Sequence, residues 1–184
     1  MKNKIIYIIL SLLLSGCASH IHQKYLDFIV QDIDISGNIV DQEKLLLGGK
    51  LAFTDLKAGP LAIADEQTDR VSLKIIQGAT DALQNNAIGI AITNDPHVAN
   101  LIFEGYIEEF SQPGKFSKMV LFKNRSRISV SGEIYERKTG LRVLSFASSK
   151  VFKSSKETSL QAALSIGQTI GEFIKKHATR EDGH

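Results

Sequence analysis

Apolar and polar positions alternate most regularly within Met119 to Glu136, where Ile128, Val130, Gly132 and Ile134 fall on one side and Arg127, Ser129, Ser131, Glu133 and Tyr135 on the other. A period of two sustained over that length predicts a half-buried β-strand. Arg137-Lys138-Thr139-Gly140 then reads as a hairpin turn, with glycine where a positive φ is needed, and Leu141 to Phe152 as the returning strand. Upstream, Leu101 to Phe110 is a strand whose Leu101, Phe103, Gly105 and Ile107 share a face, followed by a turn at Ser111 to Gly114; Gly89 to Thr93 is a shorter strand. Near the start, Ile29, Ile33 and Ile35 alternate with Asp32 and Asp34, which predicts a strand over Leu26 to Ile35 that stops at the turn residues Ser36-Gly37-Asn38. Leu45 to Leu56 is a further strand candidate with a bulge or bend at Gly48-Gly49, and Gly59-Pro60 marks a loop.

Two stretches switch to a helical period. In Asp65 to Asn86, Val71, Ile75, Ala79 and Leu83 recur at four-residue steps, with Leu73 and Ile76 widening the stripe, Thr68 or Asp69 as the N-cap and Asn85-Asn86 at the close. From Thr158 or Ser159 to about His177, the apolar side carries Leu160, Ala163, Leu164, Gly167, Ile170, Phe173 and Ile174. Strands, a helix, a short strand, an antiparallel meander and a last helix make an α+β domain: a mostly antiparallel sheet with two helices packed on one face and the other face left to solvent or to a partner.

The first seventeen residues have a different character. Lys2 and Lys4 precede the apolar run Ile5 to Leu14, which ends at Leu14-Ser15-Gly16-Cys17. A basic start, an apolar stretch of about ten residues and small residues at the break define a cleaved secretory signal, since such a stretch is too short to span a ~30 Å hydrocarbon core. Leu-Ser-Gly-Cys resembles the bacterial lipobox, in which the cysteine is acylated and becomes the first residue of the mature chain. Cys17 is the only cysteine, so the exported chain can form no internal disulfide, and a lone thiol at that position has its reason in acylation. Several acyl chains, at ~0.8 kcal/mol per buried methylene, anchor a protein without further help. In such lipoproteins an Asp after the cysteine favours retention at the inner membrane; Ala18 and Ser19 stand here, which points to the periplasmic face of an outer membrane. The predicted organisation is thus a signal over 1–16, a lipidated tether over 17–24, one domain over 25–178 and a polar tail over 179–184.

Removal of residues 1–16 leaves 168 of the 184 residues, enough for one domain with a sizeable core. The formal charge of +2 disappears with Lys2 and Lys4, leaving 20 basic against 20 acidic residues, so no nucleic-acid partner is expected. Of the five histidines, His20 and His22 lie in the tether and His184 at the terminus, while His97 and His177 stand alone, so no metal or cofactor site is expected. No nucleophile elbow, phosphate loop or dinucleotide fingerprint occurs. Glu104, Glu108 and Glu109 could pair as acid and base, but the alternation around them reads as an exposed strand face, and the chain is read as non-enzymatic. A hydrolase would need His97 or His177 to meet a carboxylate and a nucleophile in a cleft.

Two features suggest contacts. Lys115, Lys118, Lys123, Arg125 and Arg127 concentrate positive charge around Phe116 and Phe122, suited to anionic headgroups or an acidic partner. Gly167 and Gly171, four apart on a helix, let another backbone approach, either the sheet or an interface. The residues Ala99-Asn100-Leu101-Ile102-Phe103-Glu104-Gly105-Tyr106-Ile107, with Asn100 where Asp is usual, and the Lys138-Thr139-Gly140 turn within Ile128 to Phe146 resemble a pattern shared by small bacterial envelope lipoproteins. Across roughly residues 45–176 the chain resembles the group whose domain is similar to the TolB N-terminal domain and the periplasmic domain of the curli secretion lipoprotein. The resemblance implies an accessory or assembly role, carries over no catalytic residue and transfers only the acylated Cys17. Another envelope protein or further copies of the chain are the partners it suggests; a carrier for a lipid or other apolar ligand is the alternative, which would require a Phe- and Ile-lined pocket between sheet and helices. Cys17→Ser is expected to abolish acylation and release the protein from membranes, as read by membrane flotation; unchanged flotation contradicts the lipoprotein reading.

Overall fold

The computed structural model describes residues 33–46, 49–84, 89–111, 126–153 and 157–179. The signal, Cys17, the tether with His20 and His22, the start of the first expected strand, the turn after Ser111, the stretch from Met119 to Arg125 and residues 180–184 lie outside them. The elements are β1 (Ile33–Ile39), α1 (Gln42–Leu46), β2 (Gly49–Phe53), β3 (Lys57–Leu61), α2 (Glu66–Gln84), β4 (Ile90–Thr93), β5 (Leu101–Ser111), β6 (Ser126–Glu136), β7 (Arg142–Phe152) and α3 (Ser159–Ala178).

The strands form one seven-stranded sheet in the order β1-β7-β6-β5-β2-β4, with β3 also beside β5. β1, β7, β6 and β5 pair antiparallel, as the meander predicts. On its other edge, the eleven-residue β5 pairs in parallel first with β2, at Leu101 to Phe103, and then with β3, at Tyr106 to Glu109. β2 and β3 are thus one interrupted strand along β5, and β4 adds to β2 in parallel. The sheet is mixed, its larger part antiparallel.

Three local expectations change. Ser36-Gly37-Asn38 does not end β1, because Gly37 is needed inside the strand: a Cβ there would sit 2.6 Å from the Phe173 ring and 2.5 Å from the Ser145 carbonyl. Gly59-Pro60 lies in a strand rather than a loop, since β3 bonds to β5 on one side and proline, lacking an N–H, is tolerated at such an edge. The stretch taken as a strand from Leu45 begins instead in α1, a third helix, which turns Leu45 into the core. The turn 137–140 is as predicted, with Gly140 at φ +70° and its N–H donating to the Glu136 carbonyl at 2.8 Å.

Leu101, Phe103 and Ile107 of β5, Ile128, Val130 and Ile134 of β6 and Leu144 and Phe146 of β7 are buried together with Val71, Ile75, Ala79 and Leu83 of α2 and Ala163, Ile166, Ile170 and Ile174 of α3. Gly105 and Gly132 face each other across β5 and β6. A Cβ on Gly105 would lie 2.6 Å from Leu56, and one on Gly132 would lie 2.7 Å from the Phe146 ring, so the bare backbone leaves room for both side chains. Leu73 departs from the expected stripe and is 59% exposed. Two residues along a helix turn a side chain by about 200°, so Ser72, Gly78 and Ala82 complete the buried face instead.

The helix starts are fixed by side chains. Asp65, not Thr68 or Asp69, caps α2: its Oδ1 accepts from the Thr68 N–H at 2.8 Å, and the hydrogen bonds from Thr68 and Gln67 hold its carboxyl below the usual carboxylate range. Thr68 is buried and donates its hydroxyl to the Ile63 carbonyl at 2.6 Å. Thr158 caps α3 in a reciprocal box with Gln161. At the edge of the core, Lys150 is 3% exposed and pairs with Glu157 at 2.6 Å.

Gly167 and Gly171 pack against α2, where the sheet was the expected neighbour. A Cβ on Gly167 would lie 2.1 Å from the Ile75 carbonyl oxygen; on Gly171, 2.7 Å from that of Ala79; and on Gly78, 2.3 Å from that of Leu164. Contacts advance along both helices together, so α2 and α3 run parallel with backbones touching. Gly167→Ala is expected to lower stability by about 1–3 kcal/mol, because a backbone carbonyl cannot rotate away as a side chain can. Substituting the exposed Gln168 by Ala should stay within about 0.5 kcal/mol, and equal denaturant midpoints for the two variants would contradict the backbone contact.

Candidate functional site

The helices cover one face of the sheet, and alternation sends every second side chain of β1, β7, β6 and β5 to the other. Register aligns these outward residues in three rows. One runs Asp34, Ser149, Ser129, Glu109; the next Ser36, Ala147, Ser131, Tyr106; the third Asn38, Ser145, Glu133, Glu104. The two central strands present, as a strip, Ser149, Ala147 and Ser145 of β7 beside Ser129, Ser131 and Glu133 of β6, with Val151 beside Arg127 beyond them, polar residues of β1 on one side and Glu109, Tyr106 and Glu104 of β5 on the other. Strand β6 presents its outward set as the sequence predicts, in the pattern of alternating buried and accessible residues from Ser126 to Glu136. Missed by sequence reasoning were Ser145, Ala147 and Ser149 of β7 and Ser36 and Asn38 of β1, which read as turn residues. The small residues at every second position of 145–149 were the available signal.

A register shift between Ile107 and Glu109 marks a bulge, which lets consecutive glutamates address the same region of the face. The Ser131 hydroxyl donates to Glu108, and Arg127 lies 3.7 Å from Glu109. Toward the other end Tyr135 donates to Glu104 at 3.0 Å, while Arg142 reaches Glu133 at 3.2 Å. Tyr106 stands 45% exposed, with the Lys57 ammonium 6.0 Å from its ring centre. Carboxylates of Asp34, Glu104, Glu108, Glu109 and Glu133 outnumber the cations Lys57, Arg127 and Arg142 around the strip, giving it an acidic border. Near the 95–100 connection the face is sealed by Ile102, buried with Ala52 and Ala99 and covered by Tyr135.

Burial pushes the Tyr135 phenol up from its ordinary value, and the hydrogen bond and negative charge of Glu104 add to the shift. What this arrangement offers chemically is hydrogen bonding over a flat surface: serine hydroxyls that donate and accept, carboxylates that accept, and two aromatic rings.

The other sequence candidates are distributed differently. Arg127 is on this face, while Lys118, Lys123 and Arg125 lie outside the described residues, as does Cys17. Gly167 and Gly171 are buried between α2 and α3. His97 is in the exposed 95–98 turn, where its N–H bonds Asp95 at 2.8 Å. His177 is in the last turn of α3, edge-on to Phe173 at 4.6 Å. Among the described residues no group of three or more His, Cys, Asp or Glu could hold a metal ion, and no helix is long and apolar enough to cross a membrane. An open groove of about 480 Å³ lies at the starts of α2 and α3, lined by Asp65, Glu66, Gln67, Arg70, Thr158, Ser159 and Leu160.

No family model matches the chain, and no curated relative matches it. Solved structures do share its fold. A PelC dodecamer from Paraburkholderia phytofirmans aligns with a TM-score of 0.53 at 13% identity, over 81% of this chain and 98% of that one. A DUF4136 family protein from Bacteroides thetaiotaomicron aligns with a TM-score of 0.50 at 12% identity, over 81% and 98% of the two chains. The likeness expected to the TolB N-terminal domain and the curli secretion lipoprotein is not what these comparisons show; the likeness they carry is one of fold.

Because the folded pKa of Tyr135 is raised, its contribution to stability is complete below about pH 10 and is lost as pH rises through the folded value. Glu104→Gln removes the charge and leaves the burial, so the Tyr135 phenolate should form at lower pH. Ultraviolet titration of that variant, with Tyr135→Phe as the spectral blank, checks this; an unmoved titration contradicts the coupling.

Proposed function

We propose that the chain is an outer-membrane lipoprotein, held at the periplasmic face by lipid on Cys17, that works without catalysis by docking another envelope protein on the outer sheet face, as an accessory or assembly factor of a secretion, transport or cell-wall system. The observation that carries this reading is the small-residue strip. A surface meant only for water can carry charged side chains, as the exposed face of α2 does with Glu66, Asp69, Arg70 and Lys74. Ser129, Ser131, Ser145, Ala147 and Ser149 instead lose little side-chain entropy when covered and leave the backbone close to whatever lies on them. Serine hydroxyls adapt their hydrogen bonds to a partner, and Tyr106 supplies a rigid amphipathic contact with few rotamers to lose.

A second reading takes further copies of the chain as the partner. Its support is that the fold neighbour PelC is a dodecamer, and that β1, β3 and β4 each pair on one side only among the described residues. The carrier alternative gains nothing from the described groove, which is lined by no Phe or Ile and sits at the helix starts rather than between sheet and helices.

A photo-crosslinking side chain at Ala147, in the middle of the strip, tests the proposal in living cells. One envelope protein captured in constant ratio, and lost when Ser36→Arg and Ser129→Arg crowd the strip, is the expected result. Capture of the chain by itself in a ladder of multiples selects the second reading, and crosslinks no more specific than those from Lys74 on the helix side would overturn both.

A further inference from the structure

We propose that the end of the sheet where β3, β5 and β7 stop and β1 begins is a membrane-docking surface, with Leu61 and Ile63 inserted among the headgroups of the bilayer that holds the Cys17 lipid. The proposal rests on the lipid-anchor reading and adds to it an orientation. Register fixes which termini share this end: Ile33 is opposite Lys150, Ser111 opposite Arg127, Ser126 opposite Phe152 and Leu61 opposite Glu109. Leu61 and Ile63 are 74% and 76% exposed, more than any other large apolar side chain described. They are held in place by backbone: the Ala62 N–H donates to the Gly59 carbonyl at 3.1 Å, and the Ile63 carbonyl accepts the buried Thr68 hydroxyl. A fixed pair of exposed aliphatic side chains is a cost in water that a bilayer interface removes.

The chain's own course points to the bilayer as the occupant. Ile33 lies sixteen residues after Cys17, so an extended tether reaches at most about 55 Å, and the opposite end of the sheet is roughly 20 Å farther along β1. Of the two ends, this one therefore meets the anchoring bilayer at the smaller cost in tether entropy. β5 ends and β6 begins here, and the sequence that joins them contains Lys115, Lys118, Lys123 and Arg125 without an acidic residue; the described residues at this end are of both signs, with Lys153 exposed at the end of β7 and Asp65 and Glu66 exposed at the start of α2. A basic connecting sequence suits anionic headgroups.

The test uses the full lipidated chain in vesicles of phosphatidylethanolamine and phosphatidylglycerol. With the only native thiol acylated, Ile63→Cys and Leu141→Cys each accept one fluorophore, the second at the opposite end, where Leu141 is 58% exposed. Brominated lipids are expected to quench the label at position 63 several-fold more than the one at 141. Equal or reversed quenching overturns the orientation, and so does a label at 63 shielded from water but untouched by brominated lipid, which would mean that a second copy covers it. Mass spectrometry of Cys17 separates the two hypotheses. If the cysteine carries no lipid, the anchor reading fails, and flotation of the Cys17→Ser chain with these vesicles then decides the docking surface: binding lost on Leu61→Glu with Ile63→Glu sustains it, and absence of binding overturns it.

Discussion

An added methyl at Gly167 would stand 2.1 Å from the carbonyl oxygen of Ile75, closer than any real side chain approaches a backbone. Gly78 and Gly171 repeat that relation on either side, with Ala79 and Ala82 between, so α2 and α3 lie backbone against backbone. Because β3 and β7 stop at the same end of the sheet, the helices that follow them start together and run parallel. The close approach lets two helices sit side by side over the central strands, where Ile75, Ile166 and Ile170 meet Phe103, Val130 and Leu144. The large apolar residues of the central strands' inner face are buried there.

That architecture was legible in part. Strand β6 shows its two faces in its residue order because every second position differs sharply in polarity, and the four-residue steps of Val71, Ile75, Ala79 and Leu83 give α2 directly. The glycines of α3 announced that something comes close, yet spacing alone does not tell a helix from a sheet, and the partner lies about 90 residues away in sequence. Turn-forming residues misled twice for one physical reason. At Gly37 the missing side chain makes space for Phe173, and at Gly59 for the backbone of Glu108, so both glycines serve a neighbour brought in by tertiary pairing rather than a local reversal of the chain. The serine strip was least legible, since it exists only after β1, β7, β6 and β5 are placed in register.

The chain shares its framework with PelC and with a DUF4136 family protein at identities of 12–13%. Three of its surfaces differ in kind. The helix side is charged, the outer sheet face carries small and acidic side chains, and the end that carries Leu61 and Ile63 exposes two aliphatic side chains. A lipid-anchored protein with one face for a partner and one end for the bilayer would hold that partner at a set height and orientation near the membrane, a geometric task that calls for no catalytic group.

Hydroxyl-radical footprinting of the native protein in its cell envelope, set against the purified chain, tests the central claim most directly, because it reads both faces of the sheet domain in one sample. Protection of Tyr106 and of the β7 and β1 residues that border the strip, with Leu73 on the outer side of α2 oxidised equally in both samples, is the result this account predicts. Equal oxidation of Tyr106 in envelope and in solution would mean that the outer face meets only water, and would contradict it.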